Sequence, residues 1–288
     1  MKPAPFTHHA PTSVEEAVAV LREVGHDGKV LAGGQSLIPV LNMRLAQPAH
    51  LVDINGISGL ASVEVSDTAV RVGALVRHAA LEREASARHT LPLLSQALGN
   101  VAHPAIRNRG TTVGSIAHAD AAGEMPAVAV LTAAVIEAVS ASGTREIAAA
   151  DFFEGPLETT LAEDELIVAI RFGTFPAGTR TAFLESARRQ GDYALAGVAA
   201  ALTVADGVVG RALASFVSVT DVPDILDLTE AVRGQEPGGI DWSVVDDLVQ
   251  GHVSPEADIH ATADYRRALV GELTRRAFAR TAAPEVSA

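Results

Sequence analysis

The sequence predicts an α+β protein, and three observations carry that prediction. A helix signal with a capping box leads into a short β-prone run that ends in two glycines, the pattern of a small α/β unit. Two runs of alternating apolar and polar residues flank Ser66-Asp67-Thr68, as a hairpin would. A cluster of turn residues, Phe172-Gly173-Thr174-Phe175-Pro176-Ala177-Gly178, then separates this part from a further α/β unit.

In chain order, Ser13 stands three residues before Glu16, and Val14, Ala17, Val18, Leu21 and Val24 recur at helical intervals, predicting a helix over 14–24 with Gly25 as its C-terminal cap. A strand over 29–32 follows, then a helix capped by Ser36 and running to about Leu45, then a strand over 50–54. The hairpin pairs 62–65 with 69–72. Helices are expected over 76–87 and 91–100. Residues 103–120 are polar and punctuated by glycine, and read as a long irregular loop of the kind that often carries function. A helix over 126–131 and strands over 133–139, 145–148 and 166–172 complete the first part. In the second, a strand over 181–185 opens the unit and a basic-ended amphipathic helix over 265–280 closes it. Between Val204 and Asp264 twelve acidic residues stand against two basic ones, Arg211 and Arg233, which reads as a solvated acidic surface.

Composition narrows the function. The 288 residues, 48% hydrophobic, can bury a sizeable core in one large or two to three small domains. A formal charge of -13, with lysine only at Lys2 and Lys29, argues against a nucleic-acid surface. No cysteine is present, so disulfides, thiolate catalysis, cysteine-ligated zinc and a conventional iron–sulfur cluster are excluded from this polypeptide. The amino terminus has no apolar signal region and no segment reads as transmembrane, which predicts a cytoplasmic protein.

Two loops carry chemistry. Ala32, Gly33, Gly34, Gln35 and Ser36 lie where strand becomes helix, and missing Cβ atoms there let backbone N–H groups approach a pyrophosphate. Taken alone, this pair reads more readily as a plain tight turn, since neither a G-x-G-x-x-G nor a Walker A motif is present. The second loop, Arg107-Asn108-Arg109-Gly110-Thr111-Thr112-Val113-Gly114-Ser115, offers hydroxyls at Thr111, Thr112 and Ser115 and amides near Gly114, with Asp120 or Glu124 able to accept from ribityl or ribose hydroxyls. A solvated loop satisfying its own backbone fits it equally well. His118 and Asp120 lack a third ligand, so no metal site is expected, and no hydrolase motif appears. Tyr193, after Arg188-Arg189-Gln190-Gly191-Asp192, is suited to stacking on a flat ring or to plain partial burial.

Ala32-Gly33-Gly34-Gln35-Ser36-Leu37-Ile38-Pro39, Arg44-Leu45-Ala46-Gln47-Pro48, the segment 107–120 and Gly191-Asp192-Tyr193 together resemble the FAD-binding medium subunit of molybdenum hydroxylases, the xanthine dehydrogenase and aerobic carbon monoxide dehydrogenase family. The resemblance covers essentially the whole chain. It implies a PCMH-type, vanillyl-alcohol-oxidase-like FAD domain over 1–177, in two α/β subdomains of about 1–56 and 57–177, and a CO dehydrogenase flavoprotein C-terminal domain over 178–288. It implies that both loops hold the FAD diphosphate, that Asp120, Glu124, Ile167 and Tyr193 make secondary contacts, and that no side chain acts as a catalytic nucleophile or base. It also implies partners: a small subunit with two 2Fe–2S clusters and a large subunit with a molybdopterin cytosine dinucleotide-type cofactor, arranged as a dimer of heterotrimers, with an external electron acceptor.

Three positions depart from the family pattern. Val113 replaces the first of two adjacent glycines, predicting a looser or displaced approach to phosphate. Glu124 stands where relatives commonly carry Asp. Glu185 stands where many carry Lys, and a negative charge there would disfavour an anionic reduced flavin. Two other readings fit the same residues: a self-contained flavin oxidase of this superfamily, with His118 as a possible tether, and a non-enzymatic assembly subunit whose altered loop no longer binds flavin.

Overall fold

In the computed structural model, which describes residues 2–283, Ser13 caps α1 (Val14–Val24) by accepting from the Glu16 amide at 3.1 Å, while the Glu16 carboxylate accepts from the Thr12 amide at 2.7 Å. Ala17, Val18 and Leu21 form its buried stripe, and Gly25 ends it at φ 52°. β1 (Thr7–His9), β3 (His50–Asp53) and β2 (Gly28–Leu31) make a parallel sheet in that order. α2 (Leu37–Asn42) stops short of the expected Leu45. Arg44 adopts φ 57° and donates to the Leu41 carbonyl, and the Leu45 amide donates to Val40, a Schellman closure made without glycine.

The second unit is an antiparallel sheet, β4-β5-β10-β6-β7, built from β4 (Val63–Val65), β5 (Ala69–Gly73), β6 (Val135–Ser140), β7 (Gly143–Ala148) and β10 (Leu166–Gly173). The predicted hairpin forms, pairing Val65 with Val70. One sheet face carries Glu64, Arg71, Arg171, Glu137 and Glu146, ion-paired across the strands at 2.8 to 3.2 Å. The other face buries Val70, Val72, Ile136, Ile170 and Phe172. β8 (Phe153–Gly155) and β9 (Glu158–Thr159) add a small hairpin.

Helices cover that core, and here two expectations fail. The single helix over 76–87 is two, α3 (His78–Arg83) and α4 (Ala85–Thr90), because Glu84 is extended and its carboxylate caps the second. After α5 (Pro92–Leu98), the expected irregular loop contains α6 (Pro104–Arg107) and α7 (Thr112–His118). Both helices are too short for a period to register. α8 (Glu124–Leu131) is buried all round after its first residue.

β11 (Thr179–Ala187), β12 (Ala194–Ala205), β13 (Val208–Val217) and β14 (Leu226–Asp227) form the last sheet. Its strand β12 is an unbroken alanine-rich run because both its faces are covered. Ala199 and Ala201 join the core beneath α5 and α8, and Val198, Ala200 and Leu202 pack with α11 (Ala263–Ala282). α9 (Thr229–Val232) and α10 (Asp246–His252) close this second core, where Trp242 stacks on Phe278 at 4.8 Å. No helix among the described residues is long and apolar enough to cross a membrane.

Phe172 is fully buried in the larger core. Phe172→Ala is expected to cost about 3–5 kcal/mol of unfolding free energy, through lost burial and a cavity, read as a lowered urea midpoint; an unchanged midpoint would contradict this account of the core.

Candidate cofactor-binding site

The parallel pairing of β2 with β3 sets the site. Both strands end at the same sheet edge, with Leu31 opposite Asp53, and ligands in such sheets gather beyond the carboxyl ends. Ala32, Gly33, Gly34, Gln35 and Ser36 form the loop that leaves β2 there. Gly34 takes φ 72°, and the amides of Gly33, Gly34, Gln35 and Ser36 donate to no group among the described residues. A run of free N–H groups around one left-handed residue is an anion-binding nest. The Gln35 side-chain Nε2 donates to the Gly33 carbonyl at 3.2 Å and holds the loop's shape. Ser36, expected to cap α2, makes no cap bond, so its hydroxyl is not spent on the helix.

The second loop touches the first directly. A Cβ on Gly33 would lie 2.5 Å from the Arg109 carbonyl oxygen, 2.8 Å from Gly110 Cα and 3.0 Å from the Thr111 nitrogen. Backbone therefore meets backbone, and no side chain fits between. Thr111 caps α7, its hydroxyl accepting from the Gly114 amide at 3.1 Å, and a Cβ on Gly114 would collide with that hydroxyl at 2.6 Å. The amides of Thr111 and Val113 have no acceptor among the described residues.

Thr112 is fully buried with its hydroxyl 3.3 Å from His78 Nδ1, so that hydroxyl, expected in the cradle, is engaged inside the protein. Ser115 remains half-buried at the loop. Val113 is 3% exposed and belongs to the larger core. Its branched side chain is taken up by that core and is not exposed at the loop surface.

Asp120, Glu124 and Tyr193 come together where the last sheet meets α8. Asp120 accepts from the Ala122 amide at 2.9 Å, and Tyr193 is 68% exposed with the charges of Asp120 and Glu124 beside it. Gly191, at φ 86°, presses this strand connection onto His103, whose ring nitrogen a Cβ would meet at 2.5 Å. Ile167, at 5% exposure in β10, belongs to the core rather than to this open corner. Burial, with Glu185 and Asp120 nearby and Arg107 opposing, pushes the Glu124 carboxyl up to about 8. Burial also pushes Glu185 up to about 7, and its Oε2 is buried with no hydrogen-bond partner among the described residues, beside a cavity of about 130 Å³ that Asn100, Arg189 and Gln190 also line.

Three residues that sequence reasoning did not single out support the loops. Asn55 and Arg77 link them through hydrogen bonds, and His78 lies beneath Gly110, 2.9 Å from where its Cβ would be. Burial and the nearby Arg107 lower His78 to about 4, so it is neutral at physiological pH.

The chain matches known proteins along its length. Residues 4–174 match the FAD binding domain in molybdopterin dehydrogenase, and 181–281 match the CO dehydrogenase flavoprotein C-terminal domain. This chain belongs to the flavoprotein subunits of the molybdenum hydroxylase family. Among its relatives, the nicotine 6-hydroxylase medium subunit of Paenarthrobacter nicotinovorans is 39% identical over 96% of this chain and 97% of its own length. The carbon monoxide dehydrogenase structure of Hydrogenophaga pseudoflava superposes with a TM-score of 0.92 at 35% identity, and quinoline 2-oxidoreductase of Pseudomonas putida 86 with 0.90 at 34%, each over 98% of both chains. The flavoprotein fold expected from the sequence is the fold observed.

The acidic corner of this flavoprotein has a pH signature. Unfolded carboxyls titrate near 4.5, so between that value and about 8 the folded chain holds protons at Glu124 that the unfolded chain has lost. Stability from this group is complete at low pH and falls as pH rises through the window. Glu124→Gln, an imitation of the neutral acid, is expected to raise Tm by a few degrees near pH 8.5 and leave it unchanged near pH 4.5. Equal shifts in thermal scans at both pH values would contradict this.

Proposed function

We propose that this chain is the FAD-carrying electron-transfer subunit of a heterotrimeric molybdenum hydroxylase. The observation that carries the reading is the pair of backbone cradles in contact at Gly33 and Gly110, with backbone amides at Gly33, Gly34, Gln35, Ser36, Thr111 and Val113 that have no acceptor among the described residues. A diphosphate is the part of FAD that such a cradle suits: it is anionic, accepts many hydrogen bonds and fits where a Cβ would not. Residues 1–177 then form the flavin domain, with 178–288 delivering Tyr193 to its edge.

In this reading the chain's own groups bind and orient. Ala32, Gly33, Gly34, Gln35 and Ser36 form one half of the clasp and Thr111, Val113, Gly114 and Ser115 the other, with Thr112 tied inward to Val76 and His78 and Thr111 and Gly114 fixing the start of α7. Asp120 and Glu124 are placed for hydroxyl or ring contacts and Tyr193 for shielding a flat ring, while Ile167 backs the site from the core. FAD held there supplies the two-electron carrier that takes electrons from 2Fe–2S clusters on a small partner and passes them to an external acceptor. A large molybdopterin partner carries the substrate chemistry. The absence of cysteine from this chain accords with that division of labour, and relatives named as medium subunits accord with an assembly of three chain types. Such a complex, two heterotrimers together, belongs in the cytoplasm.

Gly34→Asp places a side chain on a left-handed residue and a negative charge in the cradle. The visible spectrum of this variant, purified gently with its partners, is expected to lose its flavin bands while the wild type keeps near-equimolar flavin. Undiminished flavin in Gly34→Asp would defeat the placement, and a wild-type complex without flavin bands would defeat the function.

A further inference from the structure

We propose that Arg77 and Asn55 are positioning residues that lock the two loops into one diphosphate clasp, a role that rests on the flavin reading above. The Asn55 side-chain amide donates to the Ala32 carbonyl at 2.8 Å, on the first loop. The same side chain's Oδ1 accepts from Arg77 Nη2 at 2.6 Å, and Arg77 Nη1 donates to the Arg109 carbonyl at 2.6 Å, on the second loop. One continuous bridge thus runs from carbonyl to carbonyl across the gap. Asn55 is itself fixed, because Asp53 Oδ1 accepts from its backbone amide at 3.0 Å and from its side chain at 2.6 Å.

The topology explains why these residues meet. Asn55 lies two residues beyond the end of β3 and β3 lies beside β2, so its side-chain amide reaches the loop that leaves β2. Arg77 precedes α3 and pairs with Thr111 in an isolated antiparallel bridge, so its guanidinium lies against the second loop. The charged groups around Arg77 are Arg109 and Asp53: burial first, and then Arg109, work against its charge, and Asp53 favours it. An arginine fork can serve two acceptors on different segments at once, which a lysine ammonium does with less geometric control.

The contact between Gly33 and the second loop fixes how close the loops come. The bridge works beside that contact, holding the Ala32 carbonyl of the first loop and the same Arg109 carbonyl that Gly33 approaches. Fixing both carbonyls fixes the peptide units at the junction, and amides that share one ligand need placement to about half an ångström. Neither side chain takes part in electron transfer in this account, and both act through the loop backbone.

Binding to the full-length chain, freed of nucleotide, tests this. FAD dissociation constants follow from flavin fluorescence, ADP serves as a probe of the diphosphate half alone, and thermal scans check that each variant is folded. Asn55→Ala and Arg77→Lys are each expected to weaken FAD and ADP by about tenfold or more. The double variant is expected to be no weaker than the weaker single, because either change alone breaks the one bridge. The midpoint potential of bound flavin should stay at the wild-type value. The proposal is overturned if both single variants bind FAD within about twofold of wild type, if the two losses multiply in the double variant, or if the potential shifts instead of the affinity. A wild-type chain that binds neither FAD nor ADP would instead remove the flavin reading itself.

Discussion

The packing of Gly33 against the backbone at Arg109, Gly110 and Thr111 is the constraint on which the candidate site depends. It joins a loop at the end of a parallel strand to a loop at the start of a helix, from the parts of the chain that build two different sheets. The approach is closer than any Cβ permits, and amides on either side of the junction have no acceptor among the described residues. Unpaired backbone donors are costly when buried and rarely persist without a partner. Their concentration at one junction is the feature on which the proposed anionic, multiply accepting ligand rests.

The rest of the molecule holds that junction still. α7 is fixed behind the second loop by the Thr111 cap and by the Thr112 contact to a neutral, buried His78. The last sheet is buried on both faces, against α5 and α8 on one side and α11 on the other, so the third unit is seated on the second rather than tethered to it. That seating brings Tyr193 and Glu185 to Asp120 and Glu124. Burial raises both Glu124 and Glu185, with the Glu185 and Asp120 charges adding to the effect at Glu124, and this makes a pH-sensitive corner beside the candidate site.

Much of this was legible in the residues, for identifiable reasons. Ser13 and Glu16 announced α1 through side-chain chemistry that acts locally, and the alternation around Ser66-Asp67-Thr68 announced β4 and β5 in the same way. The first loop was legible because two adjacent glycines are needed there, one for close approach and one for φ 72°. What stayed hidden was tertiary. α2 ended on Arg44 in a left-handed conformation that glycine usually marks, and Glu84 broke a helix that its neighbours favoured. α6 and α7 were too short to show a period. Val113 looked like a damaged glycine until its side chain was found in the core, and Thr112 looked like a ligand group until His78 claimed it. Asn55 and Arg77 sit 22 residues apart and carry no motif, so only the fold brings them together.

The central claim is that both loops grip a diphosphate together, and the most direct test compares FAD with FMN, which has the same ring but a single phosphate. Equilibrium binding to the full-length chain is expected to favour FAD over FMN by about a hundredfold or more, since FMN leaves one cradle empty. Equal affinity for the two flavins would contradict the account.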